Sequence, residues 1–133
     1  GRGLSQLARD GAFEPPSLLK VAGPDYLRFG AINAVRLFSE MTQSPTIRLL
    51  ETIDTPVLLV AGSRDPLIAK RERLEQLAPI LSARGNVSVV WLNKAAHAIN
   101  YSHPAELAAV IRAYMHDATL RSQPLPEVAE VLA

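Results

Sequence analysis

The polar and apolar positions of this chain fall into two regimes. Between Asp25 and Thr42, apolar residues recur every three or four places: Leu27, Ala31, Ala34, Val35, Phe38 and Met41. That spacing predicts one helix with a single apolar stripe. Pro24-Asp25 starts it, with Asp25 able to accept from free N–H groups, and Gln43-Ser44-Pro45 ends it. Gly30 inside it costs about 1 kcal/mol relative to Ala. Upstream, Gly3, Gly11, Pro15, Pro16, Gly23 and Pro24 punctuate residues 1–24, which read as mostly loop with one short helix. A second helix is expected at 46–53, with Ile47 and Leu50 on one side, and Asp54-Thr55-Pro56 forms a turn.

From residue 57 the pattern changes to continuous apolar runs. Val57 to Ala61 and Val87 to Leu92 are short, apolar and rich in β-branched residues, as in strands buried on both faces of a parallel sheet. Between them, Lys70 to Gln76 is charged on one side, and Leu74, Leu77 and Leu81 make the other side apolar. Pro79 is expected to break or restart this helix because it lacks a backbone donor, and Arg84-Gly85-Asn86 is a stop. A further helix begins at Ser102-His103-Pro104-Ala105-Glu106 and runs to Met115, burying Leu107, Val110, Ile111 and Tyr114. Residues 119–133 read as a loose tail closing in a short helix at 128–132. Strand, helix, strand, helix makes a βαβα unit with parallel strands and a right-handed crossover. The expected organisation is a helical segment over 1–54, the βαβα unit over 55–118 and the tail.

Composition narrows the function. Apolar residues make up 48% of 133, enough for a core. Fourteen Lys and Arg against thirteen Asp and Glu leave a formal charge of +1, which gives no reason to expect nucleic acid or an anionic membrane. There is no Cys, so no disulfide or thiolate metal site is possible, and a reducing, cytoplasmic setting is expected. No apolar run approaches the roughly 18 residues of a membrane span. The start, Gly1-Arg2-Gly3-Leu4-Ser5, lacks both an initiator Met and the order of a signal peptide, so a processed, truncated or tagged product is expected.

Each strand ends in a polar loop with one ionisable residue suited to acid–base chemistry: Asp65 after the first, His97 after the second. Their separation, 97 − 65 = 32 residues, is about one βα repeat, which brings both to the carboxyl edge of neighbouring strands. An Asp before Pro66 also suits a plain turn, and a His in an Ala-rich loop also suits a packed or surface position. His103 fits a helix cap, His116 a helix C-terminus, and Trp91 the core. Three His at these spacings make no metal site.

At these residues the chain resembles the C-terminal part of the α/β-hydrolase fold. Thr55-Pro56-Val57-Leu58-Leu59-Val60-Ala61-Gly62-Ser63-Arg64-Asp65 is similar to the family's P-V/T-L-x-V-x-G-x-x-D strand end. Asn93-Lys94-Ala95-Ala96-His97 is similar to its G-x-x-H strand end, with Lys94 where the family has Gly or a small residue. The resemblance covers about half of the chain. It implies a partial α/β-hydrolase fold, with two parallel strands and flanking helices after a cap or lid. Asp65 is then the triad acid and His97 the general base, acting without a cofactor on a small-molecule carboxylic ester or related acyl substrate. Tyr26, Phe29, Phe38 and Met41 either line an apolar substrate pocket under the lid or form one side of an ordinary amphipathic helix.

The family's nucleophile turn, Gly-x-Ser-x-Gly, does not occur in this sequence. Ser63 sits beside the acid rather than on a strand-to-helix elbow. The chain therefore looks like the cap and last two βα units of a larger hydrolase, inactive alone. The alternative is a hydrolase-derived interaction or dimerisation module. Two parallel strands leave an apolar edge at Val57–Ala61, so pairing with a second copy or with a missing N-terminal half is expected.

Overall fold

The computed structural model describes residues 16–44, 46–65 and 70–133. Among these the elements follow in the order α1 (Pro16–Phe29), α2 (Ala31–Gln43), α3 (Thr46–Thr52), β1 (Val57–Gly62), α4 (Arg71–Leu81), β2 (Val87–Leu92), α5 (Ile99–Ser102), α6 (Pro104–His116) and β3 (Ala129–Val131). The class is mixed α/β. The described residues fall into two units, 16–53 and 54–133.

In the first unit, the single helix expected at 25–42 is two helices. Gly30 has a φ of +79°, a left-handed conformation that glycine takes at no steric cost, and α1 ends against it. The Asn33 side chain donates to the freed Phe29 carbonyl at 2.7 Å, and Gly30 O accepts from Ala34 N to open α2. Upstream, α1 runs through Pro24 and Asp25 instead of starting there, so Asp25 caps nothing and pairs with Arg28 one turn on. The residues expected to share one buried stripe belong to different helices, and two of them face water: Leu27 is 86% exposed, and Val35 is exposed as well.

In the second unit, β1 and β2 pair in parallel, in a register running from Val57↔Val87 to Gly62↔Leu92. Alternate residues face opposite sides. Leu58, Val60, Val90 and Leu92 pack with Val110 and Ala113 of α6 and with Leu120 and Leu125. On the other face Ala61 and Trp91 pack with Leu74 of α4 and with Leu132. Both faces are therefore covered, as a parallel pair needs. Ile111, expected in the core, is exposed, and Ala113 takes its place at the buried stripe of α6.

Two further expectations change. Pro79 does not break α4, which continues to Leu81. Pro79 and Glu75, four residues back, are both exposed, so the carbonyl left without a donor lies on the solvent side of the last turns. Residues 128–132 are not helical. Ala129–Val131 forms a strand antiparallel to β2, pairing Leu92 with Ala129 and Val90 with Val131. Asn93 N donates to Val128 O and Val89 N to Ala133 O, both at 2.8 Å, extending the contact at each end. The physical cause is the open side of β2, whose backbone groups this segment satisfies. Arg71 of α4 grips the Glu130 carboxylate with both terminal nitrogens, at 2.6 and 2.8 Å, and Ser88 Oγ donates to Ala118 O at 2.5 Å. The tail is thus part of the sheet, which has the order β1-β2-β3. On the outer side of β1, no strand pairs among the described residues.

Candidate active site

The two parallel strands end side by side, and the loops that follow them are laced together. Ser63 N donates to Leu92 O at 3.0 Å and Arg64 N to Ala95 O at 2.9 Å, which continues the ladder one step past the sheet. Gly62 lies under the second loop. A Cβ added there would overlap Ala95 O and stand 2.8 Å from Ala96 O, so only glycine allows this approach. Lys94 has a φ of +67°. Left-handed backbone costs an L residue about 1–2 kcal/mol. Lys94 N donates to Ser63 Oγ at 2.7 Å, which ties the strained turn to the first loop.

These links bring Asp65 and His97 together. His97 Nδ1 lies 2.8 Å from Asp65 Oδ2. The Asp65 side chain is 1% exposed and that of His97 is 46% exposed. A carboxylate oxygen accepts, so the ring donates Nδ1–H to it, and Nε2 is the nitrogen that takes up a proton. A buried acid orienting a half-exposed imidazole is the arrangement of a general base and its supporting carboxylate.

Phe29 closes α1 and is exposed. Tyr26 belongs to α1, and Phe38 and Met41 to α2, but their side chains lie outside the described residues, as do residues 1–15 and Pro66. His103 joins α5 to α6 through its backbone: its N–H donates to Ile99 O and its carbonyl accepts from Leu107 N. Its side chain makes no cap bond. His116 is the last residue of α6, and Trp91 is buried. Among the described residues, no group of three His, Cys, Asp or Glu could hold a metal ion, and no helix is long and apolar enough to cross a membrane.

Sequence reasoning missed Ser63 and Lys94 as the clasp between the loops. The donor is the backbone N–H of Lys94, so no residue type in the sequence signalled it.

Outside the pair, two hydrogen-bonded clusters carry shifted ionisation. Asp117 accepts from the side chain and backbone N–H of both Thr119 and Ser122, and these bonds, led by the Thr119 hydroxyl, hold its carboxyl well below the usual carboxylate range. The hydrogen bonds of Arg71 lower the Glu130 carboxyl in the same direction. Burial pushes the Tyr114 phenol up.

Comparison of this chain with protein-family models, curated proteins and solved structures gives no match.

Proposed function

We propose that this chain is the C-terminal part of an α/β-hydrolase that acts on a carboxylic ester or related acyl compound. The observation that supports this most is the 2.8 Å contact of a buried Asp65 with a half-exposed His97, at the same end of two adjacent parallel strands. In the reaction, Asp65 keeps the proton on Nδ1 of His97. Nε2 takes the proton from a serine-type nucleophile as it attacks the acyl carbon, and the imidazolium then gives it to the departing alkoxide. Ser63 is not assigned as that nucleophile, since it stands beside the acid in Gly62-Ser63-Arg64-Asp65 and not on a strand-to-helix elbow. The nucleophile comes from another segment, and no cofactor is needed. A cytoplasmic setting fits a sequence with no cysteine.

Two assays test this reading. The purified chain, given p-nitrophenyl acetate and butyrate, is expected to show background hydrolysis only, and turnover that disappears in His97→Ala would refute its inactivity. A form of the protein that carries a Gly-x-Ser-x-Gly segment should hydrolyse the esters and lose at least 10³-fold in kcat with His97→Ala. Full activity in that variant would remove His97 as the base, and no hydrolysis by the form with His97 intact would remove the hydrolase reading.

A second reading, an inactive interaction or dimerisation module, draws on the outer edge of β1. Val57–Gly62 is apolar, holds no Pro or charge, and pairs on one side only among the described residues. A strand from a second copy, or from the hydrolase's N-terminal half, would complete it. Light scattering separates these outcomes: a dimer favours the module, and a 14.4 kDa monomer favours a piece that awaits its other half.

A further inference from the structure

The two residues of the pair sit on different loops, so something must fix one loop against the other. Two of the three links are backbone bonds at the sheet's end, Ser63 N to Leu92 O and Arg64 N to Ala95 O. The third comes from a side chain. Ser63 Oγ accepts from Lys94 N at 2.7 Å, and Lys94 is the residue that the turn forces into left-handed backbone. Three residues later comes His97. Its ring is half exposed, so side-chain packing encloses it only in part, and its place depends strongly on the course of the chain from 93 to 96. Asp65, by contrast, is closed off from solvent two residues after Ser63. The serine thus stands between a fixed acid and a base carried on a strained turn.

We propose that Ser63 is a positioning residue: its hydroxyl holds Lys94 in the left-handed turn and so sets the His97 imidazole on Asp65. This rests on reading Asp65 and His97 as an acid–base pair. Ser63 is exposed, so its truncation opens no cavity in the core and isolates the hydroxyl's effect. The strain at residue 94 supplies the logic of the test. With glycine at 94 the turn holds itself, and the serine should matter much less.

The experiment records the ring-nitrogen resonances of His97 in the purified chain labelled with ¹⁵N-histidine, with melting temperature followed on the same samples. In the wild type, His97 should show the Nδ1–H tautomer with a downfield proton signal. Ser63→Ala should lose that signal and shift toward the Nε2–H tautomer with little change in melting, and Ser63→Thr should keep it. In the Lys94→Gly background, Ser63→Ala should leave the His97 spectrum near that of the wild type. That background also serves if Ser63→Ala alone fails to fold. The proposal is overturned if Ser63→Ala leaves His97 unchanged, or if its effect is equally large with Gly at 94. Asp65→Asn tests the pair separately. If that variant leaves the tautomer unchanged, the acid–base reading itself falls, whereas an effect of Asp65→Asn without one of Ser63→Ala removes only the role of the serine.

Discussion

In residues 54–133, Val90, Leu92 and Val110 are closed off from water on a sheet covered on both faces, whereas in residues 16–53 Leu27 and Ile32 are each 86% exposed. Both regions are rich in apolar residues and both form regular structure, yet among the described side chains the buried core residues all lie in 54–133. The difference lies in where each element finds its partners. A helix satisfies its backbone within itself, so α1 and α2 form whether or not a stripe is covered. A strand satisfies its backbone only by reaching another, so Val57–Gly62 and Val87–Leu92 exist as strands because residues thirty apart have met. Regular structure in the helices is therefore no measure of packing, while in the sheet it is.

The sharpest way to break this comparison is to truncate one apolar residue in each region. Leu92→Ala should destabilise the chain by about 2–5 kcal/mol, seen as a lower urea midpoint, because the cavity it leaves is closed in on all sides. If Leu92→Ala costs no more than an exposed substitution, the sheet is not the core. Gly62→Ala comes next, at about 1–3 kcal/mol, since the new methyl meets the carbonyls of Ala95 and Ala96. It should also disturb His97, which the second loop carries.

Acid sharpens the comparison less strongly. The Asp117 and Glu130 carboxyls are both depressed in the folded chain, and both are in the second unit. A folded carboxyl below its unfolded value binds fewer protons than the unfolded chain does near pH 4. Its contribution is complete above that pH and lost as pH falls through the folded value. Urea midpoints should therefore decline below about pH 4, by less than either core substitution causes, and Asp117→Asn with Glu130→Gln should flatten the decline. A decline of equal slope in that double variant would show that other groups carry it. The smallest effect is expected in the first unit, where Ile32→Ala should shift stability by no more than about 0.5 kcal/mol. A larger loss there would mean that something covers Ile32 in solution.

The sequence was most readable where the chemistry is local and least readable where pairing is distant. β1 and β2 announced themselves as apolar runs, and the two loop residues could be set on one edge by spacing alone. β3 could not be found this way. Ala129-Glu130-Val131 is three residues long, and its reason for being extended is the open side of β2, about forty residues upstream. Gly30 was visible as a weak point of a helix, but a left-handed residue that divides one helix into two differs from it only in φ. Pro79 misled because the rule against proline assumes that the freed carbonyl is buried. Of the candidate site, the pair was legible, and the clasp of Ser63 on Lys94 was not, because a backbone N–H carries no side-chain signature.

The antiparallel hem that Ala129–Val131 sews onto β2 also limits how this sheet could multiply. It is a three-residue border with Glu130 tied to Arg71, a poor template for a further strand. One selvedge is finished; at the other, β1, no strand pairs among the described residues. Were β1 the one remaining edge, the sheet would have a valence of one: joining two such edges would use up both, and growth would stop at a closed pair rather than run on into a fibre.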